Sequence, residues 1–197
     1  MYKNLRPILL KSLVLLALLI IITVIFNSES INDDVQTDVG TSEIRNLPKH
    51  KYKLSGKVKL SDGDSLKFTR DKNRARLFGI DSPELAQTCI KNSKKWQCGR
   101  AAKKALYQKI AQRSLTCIGD DYDKHRRLIA TCYLYTGRSN TYENLNAWMV
   151  KNGWAIAYVY YSKRYSSQQQ FAIQNKLGIW QGTFTEPFKW RKKNFRK

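Results

Sequence analysis

Between His50 and Lys197 there are ten acidic residues, and five of them, Asp62, Asp64, Asp71, Asp81 and Glu84, fall in one short stretch. Three more, Asp120, Asp121 and Asp123, lie together further on. The same region holds 31 Lys and Arg. Carboxylates gathered inside so basic a chain point to a bound hard cation, which takes oxygen ligands. Taken singly the fragments are ordinary. Asp62-Gly63-Asp64 has hairpin-turn composition, Asp81-Ser82-Pro83-Glu84 reads as a strand end and a turn, and Arg76 as a solvated charge. As a set they suit attack on a phosphodiester. A cation that neutralises a non-bridging oxygen and helps hold the attacking water would be bound by Asp64 and Asp81. A carboxylate must orient or deprotonate that water, and Glu84 stands just past Asp81. Planar guanidinium groups match the charge that develops on the phosphorus oxygens, a part for Arg76 and Arg127.

Charge narrows the class of partner. The chain of 197 residues carries 36 Lys and Arg against 15 Asp and Glu, a formal net charge of +21. A field of that size attracts polyanions: nucleic acid, anionic lipid or an acidic cell-surface polymer. With 42% hydrophobic and 26% charged residues, the chain is ordinary globular protein and not a disordered polyelectrolyte. Its length suits one domain with a sizeable core and is short for two.

The elements that must position these side chains start as short alternating runs. Lys51–Leu60 alternates polar and apolar as a half-buried strand does, Ser61–Asp64 is a turn, and Ser65–Thr69 resumes the alternation, which makes a hairpin. Arg74–Ile80 is a third strand. Lys94–Arg113 is predicted to be helical, with Cys98, Ala102, Ala105, Leu106 and Ile110 in one apolar stripe. Ser114–Ile118 and Leu128–Tyr135 read as two strands joined by a polar turn. Tyr142–Lys151 reads as a helix stopped by Gly153, and Tyr165–Lys176 as a third. This order suggests an α+β fold, a small closed or partly closed barrel decorated with helices. Most of the eleven Tyr and five Trp then belong to packing, among them Tyr107, Tyr133 and Tyr135.

The four cysteines are Cys89, Cys98, Cys117 and Cys132. They form no C-x-x-C pair, and His50 and His125 are not spaced as partner ligands, which argues against zinc. In an exported chain disulfides are the better reading, and four cysteines allow three connectivities. Sequence-local pairing is favoured, because Cys117 and Cys132 lie symmetrically about the turn at Asp123–Arg126 and an antiparallel hairpin sets them opposite each other. Cys89 and Cys98 then close the loop ahead of the first helix.

Export is expected from the N-terminus. Lys3, Arg6 and Lys11 precede Ser12–Phe26, an apolar run with single Ser and Thr; a cationic flank followed by such a run is the pattern of a signal anchor or signal peptide. With Ile8–Leu10 the stretch approaches a bilayer's width, Lys11 being long enough to snorkel. Residues 1–26 are therefore expected to be a transmembrane anchor, slightly favoured, or a cleaved signal with a weak small-x-small site at Ser28-Glu29-Ser30. Residues 27–49 read as an acidic linker without period, residues 50–182 as the folded domain, and residues 183–197 as a basic tail. In that tail Trp190 and Phe195 among six Lys and Arg are as compatible with nucleic-acid contacts as with a frayed, solvated end.

The runs DGDSLKF, RARLFGIDSPE, DKHRRLIATCYLY, AYVYYSK and LGIW, in this order and spacing from about His50 to Gln181, resemble the staphylococcal nuclease-like (thermonuclease) family. PELAQTC, ATCYLY and GIWQGTF are similar to its exported bacterial branch. The resemblance implies a five-stranded OB-fold barrel with three helices. It implies one Ca2+ held by the Asp64 and Asp81 side chains and the Ser82 carbonyl, with Glu84 as general base or water-positioning group. Arg76 and Arg127 would clamp the scissile phosphate, Arg127 also assisting the leaving group, and Tyr158 and Tyr160 would line the nucleotide site. DNA and RNA would be cut to 3′-phosphate products. The chain departs from the family in having Ser for Thr at Ser65 and Ser82, His125 for a common Tyr, and Arg126 for a usual Gly directly before Arg127. Two other readings stand beside this endonuclease: a non-catalytic OB module that captures nucleic acid outside the cytoplasm, and a basic surface protein bound to anionic lipid or cell-wall polymer. The carboxylate cluster separates them, since a pure binder has no use for acids that repel phosphate. No protein partner is indicated, and a monomer is expected.

Overall fold

The computed structural model describes residues 43–137 and 140–195. The apolar segment expected over residues 1–26, and the expected linker as far as residue 42, lie outside the described residues. Among the described residues no helix is long and apolar enough to cross a membrane.

The alternating run at Lys51–Leu60 forms two strands, β2 (Tyr52–Gly56) and β3 (Val58–Leu60). The break falls at Gly56, whose φ of 143° is open to a residue without Cβ. From β3 the antiparallel ladder passes to β4 (Ser65–Phe68) and on to β5 (Arg74–Leu77). β5 pairs in parallel with β10 (Leu128–Tyr135), β10 with β9 (Leu115–Tyr122), and β9 with β2. The ladder therefore starts and ends on two strands that follow each other in sequence, separated by Lys57 alone. The second half of β10 also pairs β11 (Thr141–Asn144), which pairs β1 (Glu43–Arg45). The result is an OB-like α+β fold on a mixed eight-stranded sheet, where the element order suggested a closed or partly closed barrel and the resemblance implied five strands. β1 also corrects the linker: Glu43–Arg45 is not irregular, because the edge of β11 offers backbone groups that β1 satisfies.

Two smaller pairs complete the strands, β6 (Ile80–Asp81) with β12 (Ile156–Ala157), and β7 (Cys89–Lys91) with β8 (Lys94–Trp96). The second pair falls where the helix was expected to begin. Its two-residue turn puts Asn92 and Ser93 at φ 47° and 60°, the left-handed pair that matches strand twist in tight hairpins. The helix α1 (Cys98–Ile110) follows, with Cys98, Ala102, Leu106 and Ile110 almost wholly buried. Both expected disulfides are present: Cys89–Cys98, and Cys117–Cys132, which face each other directly across β9 and β10.

Among the described residues there are four α-helices, one more than expected. In α2 (Leu145–Lys151) the cap is Asn144, whose side chain accepts the N–H of Ala147 at 3.1 Å, so the helix starts later than Tyr142. α3 (Ser166–Gln174) lies inside the expected range. α4 (Pro187–Phe195) occupies the stretch read as a basic tail; its first residue is proline, whose missing N–H costs nothing there. The core joins Leu66, Leu77, Leu128 and Leu134 of the sheet to Leu106 and Leu145 of the helices. Asn146, fully buried, accepts the Cys132 N–H and donates to the Phe78 and Ala130 carbonyls, each at 3.0 Å.

Candidate active site

Asp64 closes the turn before β4, and Asp81 ends β6. They are 3% and 0% exposed, and carboxylates so covered need partners. Arg76 supplies one to each: Nη1 donates to Asp64 Oδ1 at 2.8 Å and Nη2 to Asp81 Oδ1 at 3.0 Å. The planar fork of one guanidinium thus spans acids from two elements. Burial works against the charge on Arg76, but Asp64 and Asp81 outweigh it and raise its pKa. The other oxygen of Asp64 accepts the Ser82 backbone N–H at 3.0 Å. Ser82 turns its hydroxyl away, donating to the Trp154 carbonyl at 2.9 Å.

Asp62, which sequence reasoning placed in the acidic cluster without a part, accepts the Asp64 N–H at 2.9 Å and faces the same cleft. Burial, and then the charge of Asp64, push its carboxyl up to about 7.

Ser65 lies opposite Arg76 in the β4–β5 register, and its hydroxyl has two bonds. It donates to Asp64 Oδ1 at 2.9 Å and accepts from Arg127 Nη1 at 3.1 Å. Arg127 is fixed from its other side by Asp123 Oδ2, 2.8 Å from Nε and 2.7 Å from Nη2. The second oxygen of Asp123 accepts the N–H groups of His125 and Arg127 at 2.9 and 3.0 Å. Despite partial burial, these bonds hold the Asp123 carboxyl below the ordinary range. Arg126, where the family usually has Gly, keeps the turn by adopting φ 59°; its N–H donates to the Asp123 carbonyl at 2.9 Å.

Glu84 is placed through its backbone. Its carbonyl accepts the Gln87 N–H at 2.7 Å, and its N–H donates to Gln87 Oε1 at 3.2 Å. The start of α1 lies directly against it: a Cβ on Gly99 would be 1.8 Å from the Glu84 oxygen. The Glu84 carboxylate meets a residue that sequence reasoning did not single out, Arg191 of α4. Arg191 Nη1 donates to Asp81 Oδ1 and to Glu84 Oε1, both at 2.8 Å, and Nη2 to Asp81 Oδ2 at 3.2 Å. Burial would lower the Arg191 pKa, but its bonds to Asp81 and Glu84 raise it. Burial shifts Asp81 upward against the lowering effect of Arg191 and Arg76.

Asp62, Arg76, Glu84, Arg127, Tyr158 and Arg191 line one cleft of about 880 Å³; Asp64, Asp81 and Ser82, the expected ion ligands, are buried and outside that lining. The two tyrosines inferred for the nucleotide site part company. Tyr158 lines the cleft, while Tyr160 is 81% exposed and outside the lining, and Tyr161 takes a place in it. The segment is a turn, with the Tyr161 N–H on the Tyr158 carbonyl at 3.0 Å, so the third residue on, not the second, returns to the same side.

Among the described residues no three His, Cys, Asp or Glu side chains converge as a metal-binding group. Asp64, Asp81 and Glu84 are joined through guanidinium groups. Their donor type fits a hard divalent ion, which takes carboxylate oxygens, while each of the three is paired with a guanidinium that the ion would have to share or displace.

Buried acids and guanidinium groups in an OB-like cleft are the equipment of a phosphodiester hydrolase. A family model described as "Staphylococcal nuclease homologue" matches residues 74–182. A micrococcal nuclease of Shigella flexneri is 30% identical over 145 residues, 68% of this chain and 78% of that protein. An uncharacterized endonuclease of Haemophilus influenzae is 31% identical over 141 residues, 68% of this chain and 71% of that protein. Protein ParB of Escherichia coli is 29% identical over 147 residues, 70% and 78% of the two chains. The chain belongs to the staphylococcal nuclease family and is a nuclease.

Proposed function

We propose that the chain is a calcium-dependent endonuclease that hydrolyses DNA and RNA to 3′-phosphate products outside the cytoplasm, as a monomer, anchored or exported by residues 1–26. The arrangement that carries this reading is Arg76 bridging Asp64 and Asp81 at a cleft shared with Glu84 and Arg127. Asp64, Asp81 and the Ser82 carbonyl would hold the ion, which would neutralise phosphoryl charge and favour ionisation of a water.

The other work falls to the chain's own groups. Glu84 accepts the proton of the attacking water. Arg76 and Arg127 bind the phosphate oxygens through their forks and stabilise the charge that grows on them. Ser65 keeps Arg127 in step with Asp64. Tyr158 and Tyr161 supply ring surface for bases, a contact that discriminates little between them. A net charge of +21 speeds encounter with a polyanion.

The test is digestion of single-stranded DNA and of RNA by wild type and Glu84→Gln, with calcium and with chelator. Wild type cuts both only with calcium, and Glu84→Gln binds the strand but cuts at least about 100-fold more slowly, the scale of a lost general base. Equal cleavage in chelator removes the calcium role.

A further inference from the structure

The Arg191 guanidinium holds both carboxylate oxygens of Asp81 and one of Glu84. This rests on the reading of Asp81 as an ion ligand and Glu84 as the base. Neither residue can do its work while Arg191 keeps those bonds. An ion on Asp81 needs oxygen lone pairs that Arg191 occupies, and the Glu84 oxygen that Arg191 holds is not open to a water. We propose that Arg191 is a third guanidinium of the nuclease site, one that competes with the divalent ion for Asp81 and with the attacking water for Glu84.

Three observations place this contact apart from an incidental surface pair. Asp81 is fully buried, and Arg191 is only 31% exposed. The contact is two-pronged on Asp81, with Nη1 and Nη2 on different oxygens, the geometry in which Arg binds carboxylates most firmly. Phe188, one turn earlier on the same helix, packs on Tyr158 with the rings tilted by 37° and their centroids 6.1 Å apart, so α4 is seated against the cleft wall and delivers Arg191 there. Asp81 Oδ1 also keeps Arg76, so it retains a cation when Arg191 departs. Once displaced, Arg191 stays tethered at the cleft mouth with its five N–H donors free for a nucleic-acid phosphate.

Competition makes a quantitative demand. Where the binding-competent form is a minor fraction, the apparent ion affinity is reduced by that fraction. Calcium binding to the full-length chain, measured by calorimetry without nucleic acid, is compared for wild type, Arg191→Gln and Lys193→Gln. Lys193→Gln removes the same charge from an exposed position on the same helix. The expected result is that Arg191→Gln binds calcium about tenfold more tightly than wild type, the scale of a charge-assisted pair, while Lys193→Gln changes affinity less than about twofold. In thermal melts, calcium stabilises Arg191→Gln more than wild type at equal concentration. Equal gains in the two variants would reduce Arg191 to one more unit of net charge and overturn the proposal. So would weaker binding by Arg191→Gln, which would make the arginine a support for the ion. If no form binds calcium while all keep native circular dichroism, the ion reading of the site fails first and the competition with it.

Discussion

Asp64 accepts the backbone N–H of Ser82 at 3.0 Å, so the turn before β4 and the loop after β6 are joined by the carboxylate expected to bind the ion. Gly63 is what lets them meet. A Cβ there would lie 2.0 Å from Ser82 Oγ and 2.8 Å from Ser82 Cβ. Gly63→Ala is expected to force the two segments apart, at a cost of about 1–3 kcal/mol in urea unfolding, together with a fall in cleavage rate. A variant as stable and as active as wild type would show that the contact is slack.

Ser65 is expected to need its hydroxyl and to tolerate a methyl. Ser65→Ala breaks the link between Asp64 and Arg127. Bonds to charged groups of this kind are worth about 1.5–3 kcal/mol, or roughly 10–150-fold in kcat/KM. Ser65→Thr, which restores the family's usual residue and suits a strand, should stay close to wild type. Steady-state cleavage of a short oligonucleotide measures both.

Arg126→Gly should stabilise the protein. Arg126 is exposed and held at φ 59°, a conformation that costs a residue with a Cβ about 1–2 kcal/mol. Some of that gain is returned as unfolded-chain entropy, leaving an expected rise of a few tenths to about 1 kcal/mol. Calorimetry reads it, with cleavage unchanged because Asp123 continues to hold Arg127.

The Asp123 carboxyl gives stability a pH dependence on the acid side. Its folded-state pKa lies below the ordinary value, so the folded protein prefers the ionised form more than the unfolded chain does. The resulting stabilisation is complete above about pH 5 and is lost as pH falls through the unfolded value near 3.9 and then the folded one. Asp123→Asn should be less stable at neutral pH by about 1–3 kcal/mol and converge with wild type at the acid end. A constant difference from pH 7 to pH 2.5 would tell against the ion pair.

Reduction should loosen both sides of the cleft. Cys117–Cys132 closes the hairpin that carries Asp123 and Arg127, with a sequence separation of 15, and a ring of that size contributes about 3 kcal/mol. Cys89–Cys98 closes the segment between Glu84 and α1. Urea midpoints with and without reductant, and for Cys117→Ala/Cys132→Ala, are expected to show the loss.

Much of this was legible along the chain where the signal is local. Leu128–Tyr135 announced itself as β10, because β-branched and aromatic residues follow a clear turn. The stripe from Cys98 to Ile110 has helical spacing, and its members are the residues that α1 buries. Arg76 and Asp81 are five residues apart on adjoining strands, so their meeting is short-range. Distance in sequence hid the rest. Ser65 matters through its register with Arg76, which no single segment specifies. The β7–β8 hairpin carries Lys94 and Lys95, which read equally well as the first turn of a helix. Arg191 sits 110 residues from Asp81, in a run of cations where composition gives no reason to choose one. Tyr160 entered with Tyr158 through the family resemblance, and the turn at this segment brings Tyr161 into the cleft in its place.

Asn146 makes the sheet and α2 cooperative. An amide carried by a helix fills the place of a missing strand partner beside Phe78, Ala130 and Cys132. α2 therefore cannot fray away from β10 without stripping hydrogen bonds from the sheet's interior, and the two elements should open as one unit. The Cys132 amide proton is expected to exchange with solvent only when the whole sheet comes apart, on the same slow clock as the strands around it.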